Sequence, residues 1–110
     1  MQNSFSFFRI QNLLLLFFAA ISSFFCYGQA DSLKQSLKLA THDTVRCNIL
    51  FAMIEEESDA EVWIVYNGQL KNIAEKNLAI DQPKNLRTFY LKHLAAALNN
   101  DAVVFLDKGD

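Results

Sequence analysis

The chain has 110 residues, a length for one domain, and 52% hydrophobic against 20% charged residues makes it too apolar for a disordered chain. One proline, three glycines, two cysteines and a net charge of −2 exclude a collagen, a disulfide scaffold and a basic nucleic-acid binder. The composition is strongly uneven: seven of the ten phenylalanines fall in the first 25 residues, and all twelve acids lie at Asp31 or beyond.

The head, residues 1–30, reads as a targeting segment. It carries one charge, Arg9, followed by an uncharged 13-residue run from Leu13 to Phe25. As a helix that run spans roughly 20 Å, short of the ~30 Å hydrocarbon core of a bilayer. A basic start, a short apolar stretch and the small residues of Gly28-Gln29-Ala30 describe a secretory signal peptide cleaved after Ala30. Two rivals are weaker. Cys26 as a lipoprotein cysteine is preceded by Phe25, where that processing needs a small side chain, and an uncleaved anchor requires counting Ile10 and Tyr27 into the run. The expected location is exported, in the periplasm, or on the periplasmic face of the inner membrane if the head is retained.

The body, residues 31–110, holds nine of the ten cations and all twelve acids, for a net charge of −3. Its single thiol, Cys47, cannot form an internal disulfide and reads as a small core hydrophobe. Four helices are predicted. The first covers Asp31 to Ala40, with Leu33, Leu37 and Ala40 on one side and Lys34 and Lys38 on the other. The second runs from Thr44 to Glu57 with Asp43 as its N-cap, and Val45, Ile49, Leu50, Ala52, Met53 and Ile54 form its apolar face.

The third is opened by a capping box, Ser58-Asp59-Ala60-Glu61, and carries Val62, Trp63, Val65, Tyr66, Leu70, Ile73, Ala74 and Leu78. Gly68 inside it costs about 1 kcal/mol relative to alanine unless a neighbouring helix approaches closely there. Asp81-Gln82-Pro83 is the clearest break, with Pro83 in the first turn of the next helix. That fourth helix takes in Leu86, Phe89, Tyr90, Leu94, Ala97, Leu98, Ala102 and Phe105, runs to Lys108 and ends at Gly109. Neither β-prone segment, 61–66 or 102–106, alternates or adjoins a hairpin turn. The fold class is therefore all-α, with antiparallel helix pairs.

The segment Leu98 to Asp110 resembles the first helix of a tetratricopeptide repeat (TPR) and the turn after it. Leu98 stands for the large first anchor, Ala102 for the small residue that lets a partner helix close in, Phe105 for the aromatic, and Gly109-Asp110 for the turn. Asp101 departs from the pattern, which has an apolar residue there. A buried unpaired carboxylate costs several kcal/mol, so Asp101 is either exposed or damaging. Upstream, Asp43 to Leu50 and Ile73 to Leu78 look like the two helices of a preceding degenerate repeat.

An Asp-Ser-Leu-Lys start at Asp31 followed by Asp43-Thr-x-Arg is similar to the exported N-terminal region of bacterial TPR-containing sensor histidine kinases and related TPR regulators. The resemblance implies an incomplete helical repeat, 31–110 being a truncated part of a longer sensor whose kinase domain is absent. It also leaves one apolar face of the last helix without its sequential partner. The bland alternative packs the last helix back on the first three.

Chemistry is sparse. His42 and His93 are 51 residues apart with no ligand set around them, so no zinc site is expected. His93 lacks the acidic neighbour and downstream proline of a phosphoacceptor motif and reads as a solvent-facing helix residue. Glu55-Glu56-Glu57 with Asp59 reads as a solvated helix end, and Trp63 and Tyr66, one turn apart, as core rather than the lining of a peptide groove. No glycine-rich phosphate loop exists. No residue is assigned a catalytic, cofactor or metal role, and no cofactor is expected. The expected function is a non-enzymatic protein-interaction or sensory input segment of an exported or membrane-anchored signalling protein. Its partner is a protein or peptide, and nucleic acid is excluded by charge. The alternative is a complete small periplasmic bundle binding a partner or small ligand.

Overall fold

The computed structural model describes residues 28–109. The expected signal peptide, residues 1–30, lies outside the described residues as far as residue 27. Every regular element among the described residues is a helix. α1 is described over residues 28–39, α2 is Asp43–Glu56, α3 is Ala60–Leu78 and α4 is Lys84–Lys108. The helix of α1 thus already includes Gly28-Gln29-Ala30 instead of starting at Asp31. Leu33–Asp110 forms one compact unit.

The termini follow local chemistry, with small corrections. His42, not Asp43, is the N-cap of α2; it gives no side-chain cap, and the Asp43 side chain is drawn elsewhere. The expected capping box is shifted by one residue. Asp59 caps α3, its Oδ1 accepting from the Glu61 N–H at 3.0 Å, while Glu57 Oε1 accepts from the Asp59 N–H at 3.2 Å. The acidic run therefore organises the exposed α2–α3 turn. Pro83 is the N-cap of α4 rather than a first-turn residue, and Gly109 closes that helix as expected.

α3 is the middle element: it packs extensively on both α2 and α4, which touch each other only lightly. Pairing is antiparallel on both sides. The start of α2 meets the end of α3 where Asn77 bonds Asp43, and the middle of α3 meets the later half of α4 where Asn67 bonds Ala97 and Asp101. The core is Cys47, Leu50 and Ile54 from α2, Leu70 and Ala74 from α3, and Tyr90 and Ala97 from α4. Leu37, Trp63, Tyr66, Ile73 and Leu86 pack around it. Trp63 and Tyr66 are thus core-packing, and Cys47 is fully buried, its thiol pushed up to about 11 chiefly by desolvation.

Three expectations about facing are corrected. Val45 and Val65 point outward, because the α2 face is centred on Cys47 and the α3 face on Leu70 and Ala74. His93 is not solvent-facing. It is half-buried against the ring of Phe89, centroids 4.5 Å apart, and meets Phe51 edge-on at 5.8 Å. Gly68 is exposed, and a Cβ built on it meets nothing within 4 Å, so no close helix approach requires it.

Two outcomes follow for stability. Gly68→Ala raises the unfolding free energy by about 1 kcal/mol in urea denaturation, because it removes only backbone freedom. Burial between phenylalanine rings lowers the His93 pKa, so the unfolded chain takes up a proton near the ordinary histidine value while the folded one resists it. Stability therefore falls as pH drops through about 6.5 toward the lower folded value, and His93→Gln flattens that part of the urea-midpoint profile.

Candidate functional site

Two polar networks and one apolar face stand out from the packing. The first network lies at the α3–α4 seam. Asn67 is only 1% exposed, a polar side chain in the core. Its Nδ2 donates to the Ala97 carbonyl at 3.0 Å and to Asp101 Oδ1 at 2.9 Å, and its Oδ1 accepts from Asn100 Nδ2 at 3.0 Å. Both amide hydrogens and the carbonyl oxygen are thus occupied, which a buried amide requires. Asp101 also accepts from Lys71 Nζ at 3.0 Å. Asp101 is therefore half-exposed and paired, so its departure from the repeat pattern does no damage here.

The second network lies where α2 begins and α3 ends. Asn77 Nδ2 donates to Asp43 Oδ2 at 2.9 Å and to the Ile73 carbonyl at 2.8 Å, while Arg46 Nη1 meets Asp43 Oδ1 at 2.6 Å. Arg46 Nη2 also reaches the Ala40 carbonyl at 2.9 Å, satisfying an acceptor just past the end of α1. Asn77 and then Arg46 hold the Asp43 carboxyl below its ordinary pKa. Beside this network opens a cleft of about 590 Å³ between α2, α3 and α4, with Tyr90 of α4 among its lining.

The apolar face belongs to α4, whose apolar residues divide between two sides. Leu86, Phe89, Tyr90, Leu94 and Ala97 turn inward. Leu91 and Leu98, each 48% exposed, Phe105 at 75%, and the exposed Ala95 and Ala102 lie along another side. The order 91, 95, 98, 102, 105 steps by four and three, the spacing of a helix-pairing seam, with large residues at every seventh place and alanines between them. Leu98, Ala102 and Phe105 are the residues that carry the repeat resemblance. They sit together on this open side.

Among the described residues no group of three or more His, Cys, Asp or Glu side chains is placed to hold a metal ion, and no helix is long and apolar enough to cross a membrane. The sequence pattern singled out neither Asn67 nor Asn77 as a functional position. The signal that would have marked Asn67 is its place between Trp63, Leu70 and Ala74, on the side of α3 that must be buried.

Asn67→Ala is expected to cost about 2–4 kcal/mol by urea unfolding, because it empties a buried position and takes from Asn100 its acceptor and from Asp101 one of its donors. Lys71→Ala, at the wet rim of the same network, is expected to leave the urea midpoint nearly unchanged, since solvent screens that ion pair.

No family model matches the chain, and neither a curated protein nor a solved structure matches it.

Proposed function

We propose that the chain is a non-catalytic, TPR-like interaction and input segment of an exported bacterial signalling protein, and that it works by receiving an amphipathic helix along the open side of α4. The observation that carries this reading is the exposed row Leu91, Ala95, Leu98, Ala102 and Phe105. A helix that is apolar on two sides is built to be covered on both. Covering Leu91, Leu98 and Phe105 stabilises a complex by roughly 1.5–3 kcal/mol per side chain at most. The alanines between them let a partner backbone approach closely.

The antiparallel α2–α3 pair, short connections and the TPR-type residues of α4 support a repeat architecture, in which recognition comes from the shape of stacked helices rather than from reacting groups. At 25 residues α4 is longer than a single repeat helix of this kind needs, so the repeat is degenerate. The apolar head, residues 1–30, supports export, and the similarity of the Asp31 and Asp43 segments to TPR-containing sensor kinases supports a place ahead of a signalling output domain.

The docking claim is tested with a labelled synthetic helix bearing an alternating Leu/Ala seam, titrated against the full chain by fluorescence anisotropy. Saturable binding is expected, with Leu98→Asp weakening it at least about tenfold while leaving the melting temperature within a few degrees, since Leu98 makes no core contact. Equal binding by Leu98→Asp contradicts the claim. The sensor connection is tested in the native gene: continuation of the frame into further helix pairs, a membrane helix and kinase boxes supports it, and a stop directly after codon 110 contradicts it.

A further inference from the structure

The apolar row on the open side of α4 continues toward the start of the helix as Arg87 and Lys84, by further steps of four and three residues. Both are exposed, and neither makes an ion pair among the described residues. We propose that the helix received on this side is an acidic one, with carboxylates at the end that passes Lys84 and Arg87. This rests on the docking of a helix along α4 proposed above and names the chemistry of its partner.

The whole side has one sign. At about 100° per residue, Lys84, Arg87, Leu91, Leu98 and Phe105 fall within a single stripe roughly 60° wide. The acids of α4 lie off it. Asp101 is drawn toward α3 by Asn67 and Lys71, and Asp107, two residues past Phe105, is turned about 160° away. Lys92, exposed beside Leu91, adds a third cation near the same end. The stripe thus has cations at one end, an apolar surface along the rest, and no carboxylate of its own to answer the cations.

Charge complementarity separates the possible occupants. A second copy of α4 laid parallel sets Lys84 and Arg87 on their own counterparts. Laid antiparallel about Leu98, it brings its Lys108 beside Arg87. Either way cation meets cation, which weakens the pairing. The apolar head of this chain carries Arg9 and no acid, so it leaves both cations unanswered as well. A lipid surface gains little area from Ala95 and Ala102, whereas the backbone of a second helix packs closely over such small side chains. A partner helix with an apolar stripe and an acidic end satisfies both parts of the surface at once.

The test titrates the full chain, by fluorescence anisotropy, with three end-capped synthetic helices. They share one Leu/Ala seam and differ only in the residues of one terminal turn, which are Glu, Gln or Lys. The Glu-ended helix is expected to bind about three- to tenfold more tightly than the Lys-ended one at low salt, the Gln-ended helix lying between them. High salt is expected to close the gap. Joint replacement of Lys84→Glu and Arg87→Glu is expected to invert the order. Both positions are exposed near the start of α4, where a negative charge suits the helix dipole, so the fold is kept.

Equal affinity for the Glu- and Lys-ended helices overturns the proposal but leaves the docking of a helix intact, and so does a preference that the double variant leaves unchanged. Failure of all three helices to bind overturns both readings. A dimer in sedimentation that the Glu-ended helix does not dissociate assigns this side to a second copy. Binding to phosphatidylglycerol vesicles that the Glu-ended helix does not displace assigns it to a lipid surface. Either result also overturns the proposal.

Discussion

The side-chain amide of Asn67 sets the arrangement of the last two helices. A buried amide has to be satisfied on both its ends, and only one alignment of α3 against α4 gives it the Ala97 carbonyl, the Asp101 carboxylate and the Asn100 amide together. Sliding α4 by one turn strands these groups, at a cost of several kcal/mol that apolar packing alone does not impose. Apolar contacts among Leu70, Ala74, Tyr90 and Ala97 supply cohesion but little register. Once Asn67 fixes the rotation of α4, its second apolar side has to face away from α3.

The same fixed rotation shapes the other end of the molecule. Because Ala97 and Asp101 are held against Asn67, Tyr90 comes round toward the ends of α2 and α3, where Asp43, Arg46 and Asn77 form their own network. Arg46 ties the end of α1 to α2, and Asn77 ties α2 to α3. The cleft is thus walled by three helix ends, each held by a side chain with few alternatives. The open side of α4 and the polar cleft are two consequences of one set of constraints.

Local features of this chain were legible in its sequence, and features made by distant residues were not. The breaks at Ser58–Glu61 and Asp81–Pro83 and the termini at Lys108 and Gly109 are written in neighbouring residues, so α2, α3 and α4 were placed to within a residue or two, whereas α1 begins at least three residues before its expected start. Cys47 read correctly as core because its surroundings offered no chemistry for a reactive thiol. Asn67 was missed because a pattern of apolar positions treats asparagine as outward, and only a partner 30 or more residues away makes its burial affordable. Val45 and Val65 were misplaced for the opposite reason: an apolar side chain on the surface costs little, so composition does not assign its side. The environment of His93 depends on Phe51, from another helix, and the cleft on three helix ends, none of which periodicity brings together.

The Asn67 seam is closed to solvent, while the Leu91–Phe105 side of α4 is open to it. The direct measurement is side-chain NMR of the dilute protein with a soluble paramagnetic probe. The Asn67 amide protons and the Leu50 and Leu70 methyls are expected to keep their intensity while the Leu91 and Leu98 methyls are strongly attenuated. Attenuation of the Asn67 amide together with protected Leu91 and Leu98 methyls would show α4 rotated the other way, and would contradict it.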